Sequence, residues 1–433
     1  MKNSIKYFGI ALMMAVGFQA QAQDVDVDVV DVDVEEKSIW DRELPNFRAP
    51  DQRGIGEFEP TKDTDYDFDG VQVRVGGAST IQLQGLRQDN ASGAPELYDL
   101  GTNFNLATAN LALDVLLAKG IRMHLTTYLS SLHHTEAYVK GGYIQIDGLD
   151  WISEDFAGAM DNWRVKIGHM ENNYGDAHFR RSDNAQAIYN PFVGNYLMDA
   201  FTTEVGAEVY YFNGPWLAMA GFTNSTINQS SLESDRDPSY LAKIGYDKQF
   251  SEDFRFRLTG SVFHSNFRPN SSRGSTQYLY SGDRAGTRYY NVMQGPVDGV
   301  RYDTDFRAGR LNPNFGEELT AFMINPFVKV GGLEFFGLYE NASGEDETWN
   351  HYSGELIYRF GQTEDFYVGT RYNTASNDDV SVNRFNVGGG WFMTKNILAK
   401  IEYMNQQYND YPAGNYRDDA NFNGFNIEAV ISF

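Results

Sequence analysis

Three sets of side chains have the chemistry to do work. The first is histidine: His133, His134, His169, His178, His264 and His351 fall near the ends of apolar-polar segments or in the loops beyond them. Converging imidazoles bind transition metals, and an imidazole beside a serine and an acid hydrolyses esters. Yet His133 and His134 are adjacent, so in extended chain they face opposite sides, and no serine stands in a nucleophile motif. The expectation is solvated histidines, no enzyme and no cofactor.

The second set lies in "DTDYDFDG", residues 63–70, where Asp65, Asp67 and Asp69 take the first three ligand positions of a calcium loop and Gly70 the turn. Position twelve would be Gly76 where a bidentate glutamate is required, so this calcium candidate is only half complete. The third set is basic. Arg180 and Arg181 stand together, and Arg74, Arg122, Arg164, Lys166, Lys243, Arg255, Arg257, Lys329, Arg359, Arg371, Arg384 and Lys400 recur on one face of alternating segments. That face carries fewer acids: Asp114, Glu204, Glu208, Glu334, Glu355, Glu402 and Glu428. Excess fixed positive charge around water focuses anions. Pairing of these charges across strands is the competing expectation, and Asp176 and Asp183 lie close to the two tandem arginines.

What positions these residues is a grammar of strands. From Val71 to Phe433 apolar and polar residues alternate over about 9 to 12 positions, the length of a tilted strand crossing a bilayer. Sixteen such segments can be counted, the first at 71–87 and the last at 422–433. Connections at 118–120, 213–215, 251–253, 331–332, 362–365 and 394–396 are short, while those in the alternate gaps are long and rich in Asn, Asp, Gly and Ser. This sorting by parity predicts an all-β, transmembrane antiparallel barrel with short periplasmic turns and long extracellular loops. Sixteen strands enclose an aqueous channel.

Details follow from that frame. Trp163, Tyr211, Trp216, Phe250, Phe254, Phe360, Phe366 and Trp391 fall at strand ends beside the short turns, where amphipathic rings sit at the headgroup level. Residues 148–162 are too long for a turn and suggest a local helix. Pro326 inside the tenth strand suggests a bulge or a shifted boundary. Residues 275–293 read as an extracellular hairpin. In the last strand Phe425, Ile427, Ala429, Ile431 and Phe433 share the lipid face, opposite Asn426, Glu428 and Ser432.

Residues 1–22 have the basic, apolar and small-residue order of a secretory signal. Residues 23–70 follow as an acidic segment carrying eleven of the chain's twenty-four excess negative charges, and a solvated, disordered periplasmic tail is expected for it. The barrel occupies 71–433. Mean hydropathy of −0.47 excludes a bundle of membrane helices. The absence of cysteine excludes disulfides, thiolate metal sites and a lipidated N-terminal cysteine. Strong negative charge without a basic stripe excludes nucleic-acid binding.

The stretch "VKIGHMENNYGD" leading into "FRRSDN", then "NPFVGNY" and "FTTEVGAEVYY", resembles the phosphate-selective porins O and P and related general bacterial porins. The resemblance covers about residues 71–433. It implies a diffusion porin of the Gram-negative outer membrane, assembled as a homotrimer, and does not transfer phosphate selectivity. A terminal Phe433 on such a strand resembles the signature recognised by the barrel-assembly machinery. The expected constriction is the loop at 171–201, with Arg180 and Arg181 facing Arg122, Arg164, Lys166, Arg255 and Arg257, for small polar solutes with mild anion preference. The alternative is a non-conducting scaffold or envelope-complex subunit docking through its acidic segment.

Overall fold

A computed structural model describes residues 43–129, 138–156, 158–182, 186–225, 237–266, 277–280, 289–295 and 309–433. The signal sequence, the acidic run before residue 43, His133, His134 and Asp183 lie outside these residues. The strands are β1 (Gln72–Asp89), β2 (Asn103–Ala118), β3 (Ile121–Leu129), β4 (Tyr138–Ile146), β5 (Trp163–Glu171), β6 (Thr203–Asn213), β7 (Trp216–Thr223), β8 (Ser239–Ser251), β9 (Phe254–Asn266), β10 (Glu318–Val330), β11 (Leu333–Ser343), β12 (Thr348–Phe360), β13 (Phe366–Ser376), β14 (Ser381–Thr394), β15 (Ile397–Asn409) and β16 (Asn421–Ser432). Each pairs antiparallel with its neighbours, and β1 pairs with β16 from Ala78 opposite Ser432 to Asp89 opposite Asn421, closing the barrel. All sixteen predicted strands are present.

Closure removes the exposed edges that would otherwise template aggregation. It also explains the bare terminal phenylalanine: Phe433 exchanges two backbone hydrogen bonds of 3.0 Å with Gly77, so the chain is tied down to its last residue. The pleat sorts side chains as expected, with Phe425, Ile427 and Ile431 exposed while Asn426 and Glu428 are buried. At the turn end, Trp163 meets Tyr211 at 4.8 Å between ring centroids, Phe250 meets Phe254 at 5.3 Å, and Phe366 bridges Phe360 at 5.7 Å to Trp391 at 6.0 Å. These rings lie on the outer surface beside the short turns. The β10–β11 turn is only Gly331-Gly332, and its φ of +55° at Gly331 is available to glycine without a side-chain clash.

Pro326 makes no bulge. The β10–β11 register keeps one offset from Ile324 opposite Tyr339 to Phe327 opposite Phe336. The ladder bond that proline cannot make is replaced by Asn325, whose side-chain amide donates to the Gly337 carbonyl at 3.1 Å. Residues 148–162 contain a one-turn 3-10 helix, Glu154–Phe156, with Trp151 and Ile152 exposed beside it.

Two expectations are overturned inside the barrel. The described parts of 275–293 form no strand; they fold inward because Tyr280 and Tyr289 donate from their hydroxyls to Glu340 at 2.6 Å and Glu402 at 2.7 Å. Residues 43–62 of the segment expected to be a disordered tail instead thread the turn end of the lumen, where wall cations hold the Glu59 carboxylate and the Gly56 and Pro60 carbonyls. The lumen is therefore no uniform water channel. Phe58, Leu197, Met198, Leu279, Val292, Leu311 and Phe315 pack against inward residues such as Met219, Phe263, Phe327, Phe336 and Phe422 in one apolar core. Most of its wall residues come from β7 to β16.

A cation forced onto the outer face has no water to solvate it. Ile427→Arg, near the middle of β16, is expected to destabilise the barrel by about 2–4 kcal/mol if it sits at the bilayer midplane, measured by guanidinium unfolding in lipid vesicles. An unchanged midpoint would place that face away from lipid.

Candidate functional site

The site is assembled by two segments lying across the lumen. The first is the loop 172–202 between β5 and β6. At one end the Asp176 carboxylate accepts from Arg257 Nε at 2.8 Å, Arg257 Nη2 at 2.9 Å, Thr259 Oγ1 at 2.8 Å and Lys243 Nζ at 3.0 Å. At the other end, the backbone N–H groups of Val193 and Gly194 donate to Glu402 at 3.0 and 3.3 Å. Arg371 donates to the Gly194 carbonyl at 2.7 Å, Arg384 to that of Asn195 at 2.6 Å, and Lys400 to those of Ala187, Asn190 and Phe192 at 2.8–3.2 Å. The loop thus runs from β8–β9 to β13–β15 with its backbone polar groups satisfied by the wall, as burial demands.

The second segment is the chain from Glu43 to about Lys62. Glu59 accepts from Arg257 at 2.6 Å and Lys243 at 3.1 Å, joining the Asp176 cluster. Around the circumference, Arg164 donates to the Pro60 carbonyl at 2.7 Å and Arg255 to that of Gly56 at 2.8 Å. Gln52 holds the β12–β13 turn through the Thr363 carbonyl at 2.9 Å and the β14–β15 turn through the Lys395 carbonyl at 2.9 Å. Arg48 crosses to the loop, donating to the Phe179 carbonyl at 3.1 Å. Phe58 packs edge-on against Phe179 of the loop and Phe327 of the wall.

Burial alone would raise the carboxyls of Asp176 and Glu59. Arg257 and Lys243 outweigh it, holding Asp176 below and Glu59 well below the ordinary carboxylate value.

Between the two segments and the β1–β5 wall lies a cavity of about 220 Å³. Its lining includes Arg48, Arg74, Arg122, Lys140, Arg164 and Lys166 against the acids Glu59, Asp114 and Glu171. Of the seven basic residues expected at the constriction, Arg122, Arg164 and Lys166 line it. The other four do not. Arg180 pairs with Glu334 and Glu355, Arg181 with Asp199 at 2.7 Å, Arg255 with Asp247 at 2.6 Å and Arg257 with Asp176 at 2.8 Å. Buried arginine without a counter-charge is costly, so the loop's tandem pair is turned into anchors, not a free cationic rim. The excess of inward cations shrinks likewise, because Asp147, Asp247 and Glu59 join Arg164, Arg255 and Arg257.

Arg48 and Phe47 escaped the sequence reading because their segment carried the composition of a tail. Lys140 could have been found from the period-two pattern of "YVKGGYIQI". Asp65, Asp67 and Asp69 are exposed along extended backbone, and among the described residues no group of three or more acids and histidines is placed to hold a metal. The histidines do not converge: His169 meets Thr203 at 2.9 Å, His264 meets Thr320 at 2.9 Å, and His351 lies 3.5 Å from Glu340.

No family model matches the sequence, and no curated protein matches it. Solved structures do share the fold. An anion-selective porin from Comamonas acidovorans aligns at TM-score 0.54 and 11% identity, covering 84% of this chain and 100% of that one. The outer membrane channel DcaP of Acinetobacter baumannii aligns at 0.52 and 12%, covering 84% and 98%. OprB of Pseudomonas putida aligns at 0.50 and 10%, covering 84% and 94%. At these identities the likeness is one of fold.

Because the Asp176 and Glu59 values are depressed on folding, their stabilisation is full above the ordinary carboxylate range and is lost as pH falls through the folded values. A spin label at Thr61→Cys, the sole cysteine, is expected to stay immobilised from pH 7 to about 4 and to gain a mobile component below that. A Glu59→Gln, Asp176→Asn protein whose label is as immobile as the parent's at pH 7 would show that the cluster does not hold the segment.

Proposed function

We propose that this chain is an outer-membrane porin: a passive diffusion channel for small polar solutes and ions, with a preference for anions. The carrying observation is the cavity beside β1–β5, where six basic side chains face three acidic ones. In a low-dielectric wall that imbalance focuses anions and raises their local concentration. Loop 172–202 and the segment before β1 narrow the passage from inside. Charge pairing elsewhere restricts the selectivity to this strip of wall, and nothing in the chemistry calls for a cofactor.

The outer girdle of aromatic rings and the apolar lipid face support residence in the outer membrane of a Gram-negative bacterium, as does the fold shared with solved porins. Residues 1–22 supply the export signal in this reading, and the C-terminal strand ending at Phe433 the contact with the barrel-assembly machinery. Assembly as a homotrimer is part of the proposal. The second reading, a non-conducting scaffold, is favoured by one observation, the apolar core that loop residues build against the inner wall.

Planar-bilayer recording of the outer-membrane-extracted protein under a KCl gradient separates the two. Steady open steps are expected, with a reversal potential favouring chloride. Deletion of residues 43–62 is expected to raise the conductance severalfold and weaken the selectivity, since Arg48 and the anchoring of Arg164 go with it. Cation preference would refute the role given to the cavity. Silence both before and after deletion would establish the scaffold.

A further inference from the structure

Nearly every cation turned into the lumen has a carboxylate partner: Arg74 has Asp114, Arg164 has Asp147, Arg359 has Glu334 and Arg371 has Glu355. Arg122 breaks this pattern. It is 3% exposed, donates to the Gln145 side-chain oxygen, and its buried Nε has no hydrogen-bond partner. Among the described residues no carboxylate lies within salt-bridge distance of it. Arg48 is a second case, donating only to the carbonyls of Gly54 and Phe179 at 2.9 and 3.1 Å and lying 3.6 Å over the Tyr189 ring. Both line the same cavity.

The acids on that lining are already engaged. Glu59 is held by Arg257 and Lys243, Asp114 by Arg74 and His124, and Glu171 by Gln186. Lys166 is held loosely: it stands 3.8 Å from Glu208, whose oxygens already accept from the Asn173 backbone at 2.9 Å and the Tyr210 hydroxyl at 2.5 Å. A guanidinium buried without a directly paired carboxylate is costly, and an anion entering the cavity would recover part of that cost. The walls around these cations are aromatic. The Arg122 guanidinium lies 4.2 Å over Phe47, and Lys166 4.6 Å over Tyr143, with Phe179 on the loop side. An apolar cavity of about 150 Å³ accommodates benzene, so one of about 220 Å³ has room for a single ring and a carboxylate.

From these observations we propose that the cavity is a saturable site for a small aromatic carboxylate, the anion held at Arg122 and the ring set against Phe47 and Tyr143. The proposal rests on the porin reading, of which it names the solute class. Hydrated inorganic anions would meet the guanidinium but gain no apolar contact with the rings; neutral aromatics would do the reverse.

Calorimetric titration of the detergent-solubilised protein tests this with three probes: sodium benzoate, inorganic phosphate and benzyl alcohol. Saturable one-to-one binding of benzoate alone is expected. Arg122→Gln should weaken it about tenfold or more, the loss of one charge-assisted hydrogen bond. Should that strand variant fail to fold, Phe47→Ala, outside the barrel wall, is expected to weaken benzoate binding severalfold. Absence of saturation overturns the proposal, as do phosphate or benzyl alcohol matching benzoate, or variants that bind like the parent. Bilayer conductance keeps the two readings apart. A conducting protein that ignores benzoate refutes the site and leaves the porin, whereas benzoate binding without conductance does the opposite.

Discussion

Charge enclosed by protein must be compensated, and the cluster of Asp176, Glu59, Arg257 and Lys243 is where that constraint organises the molecule. One acid comes from the loop, one from the segment before β1, and the two cations from adjacent strands of the wall. Removing any member leaves its neighbours buried and undercompensated, which is far costlier than the net worth of a surface pair. The cluster therefore locks three separately encoded pieces of chain into one arrangement. The cavity exists in its present shape because both segments are fixed there.

The same rule accounts for the asymmetry of the lumen. On the β7–β16 side, loop tyrosines reach wall glutamates while apolar loop residues fill the space between them, so polar and apolar requirements are met together. A barrel with an apolar outer surface has thereby acquired an apolar core inside as well. On the β1–β5 side Arg74 and Arg164 meet Asp114 and Asp147, while Arg122 has only the Gln145 oxygen and the Phe47 ring.

Backbone economy supports this arrangement. Lys400, Arg371 and Arg384 hold loop carbonyls as well as, or in place of, carboxylates, and Asn325 replaces the ladder bond missing at Pro326 while accepting the Asp176 N–H at 2.8 Å. A single residue thus repairs the sheet and fixes the loop. Such double use is efficient in a narrow interior, and it couples the wall's register to the position of the constriction.

The sequence by itself determined the wall. Period-two alternation, loop-length parity and aromatics beside the short turns are local signals, set by a side chain's own strand and by the bilayer outside, and they located all sixteen strands and the inward face of Arg122, Arg164 and Lys166. The tertiary structure decided what the lumen contains. Whether Arg180 is a free charge or an anchor depends on Glu334 and Glu355, more than 150 residues away, and whether residues 43–62 are a loose tail or held inside the barrel depends on Arg164, Lys243 and Arg257. Composition marks that segment as solvated because it counts the acids and cannot count the cations waiting for them. Pairing across a closed barrel is a non-local property, and only the fold brings the partners together.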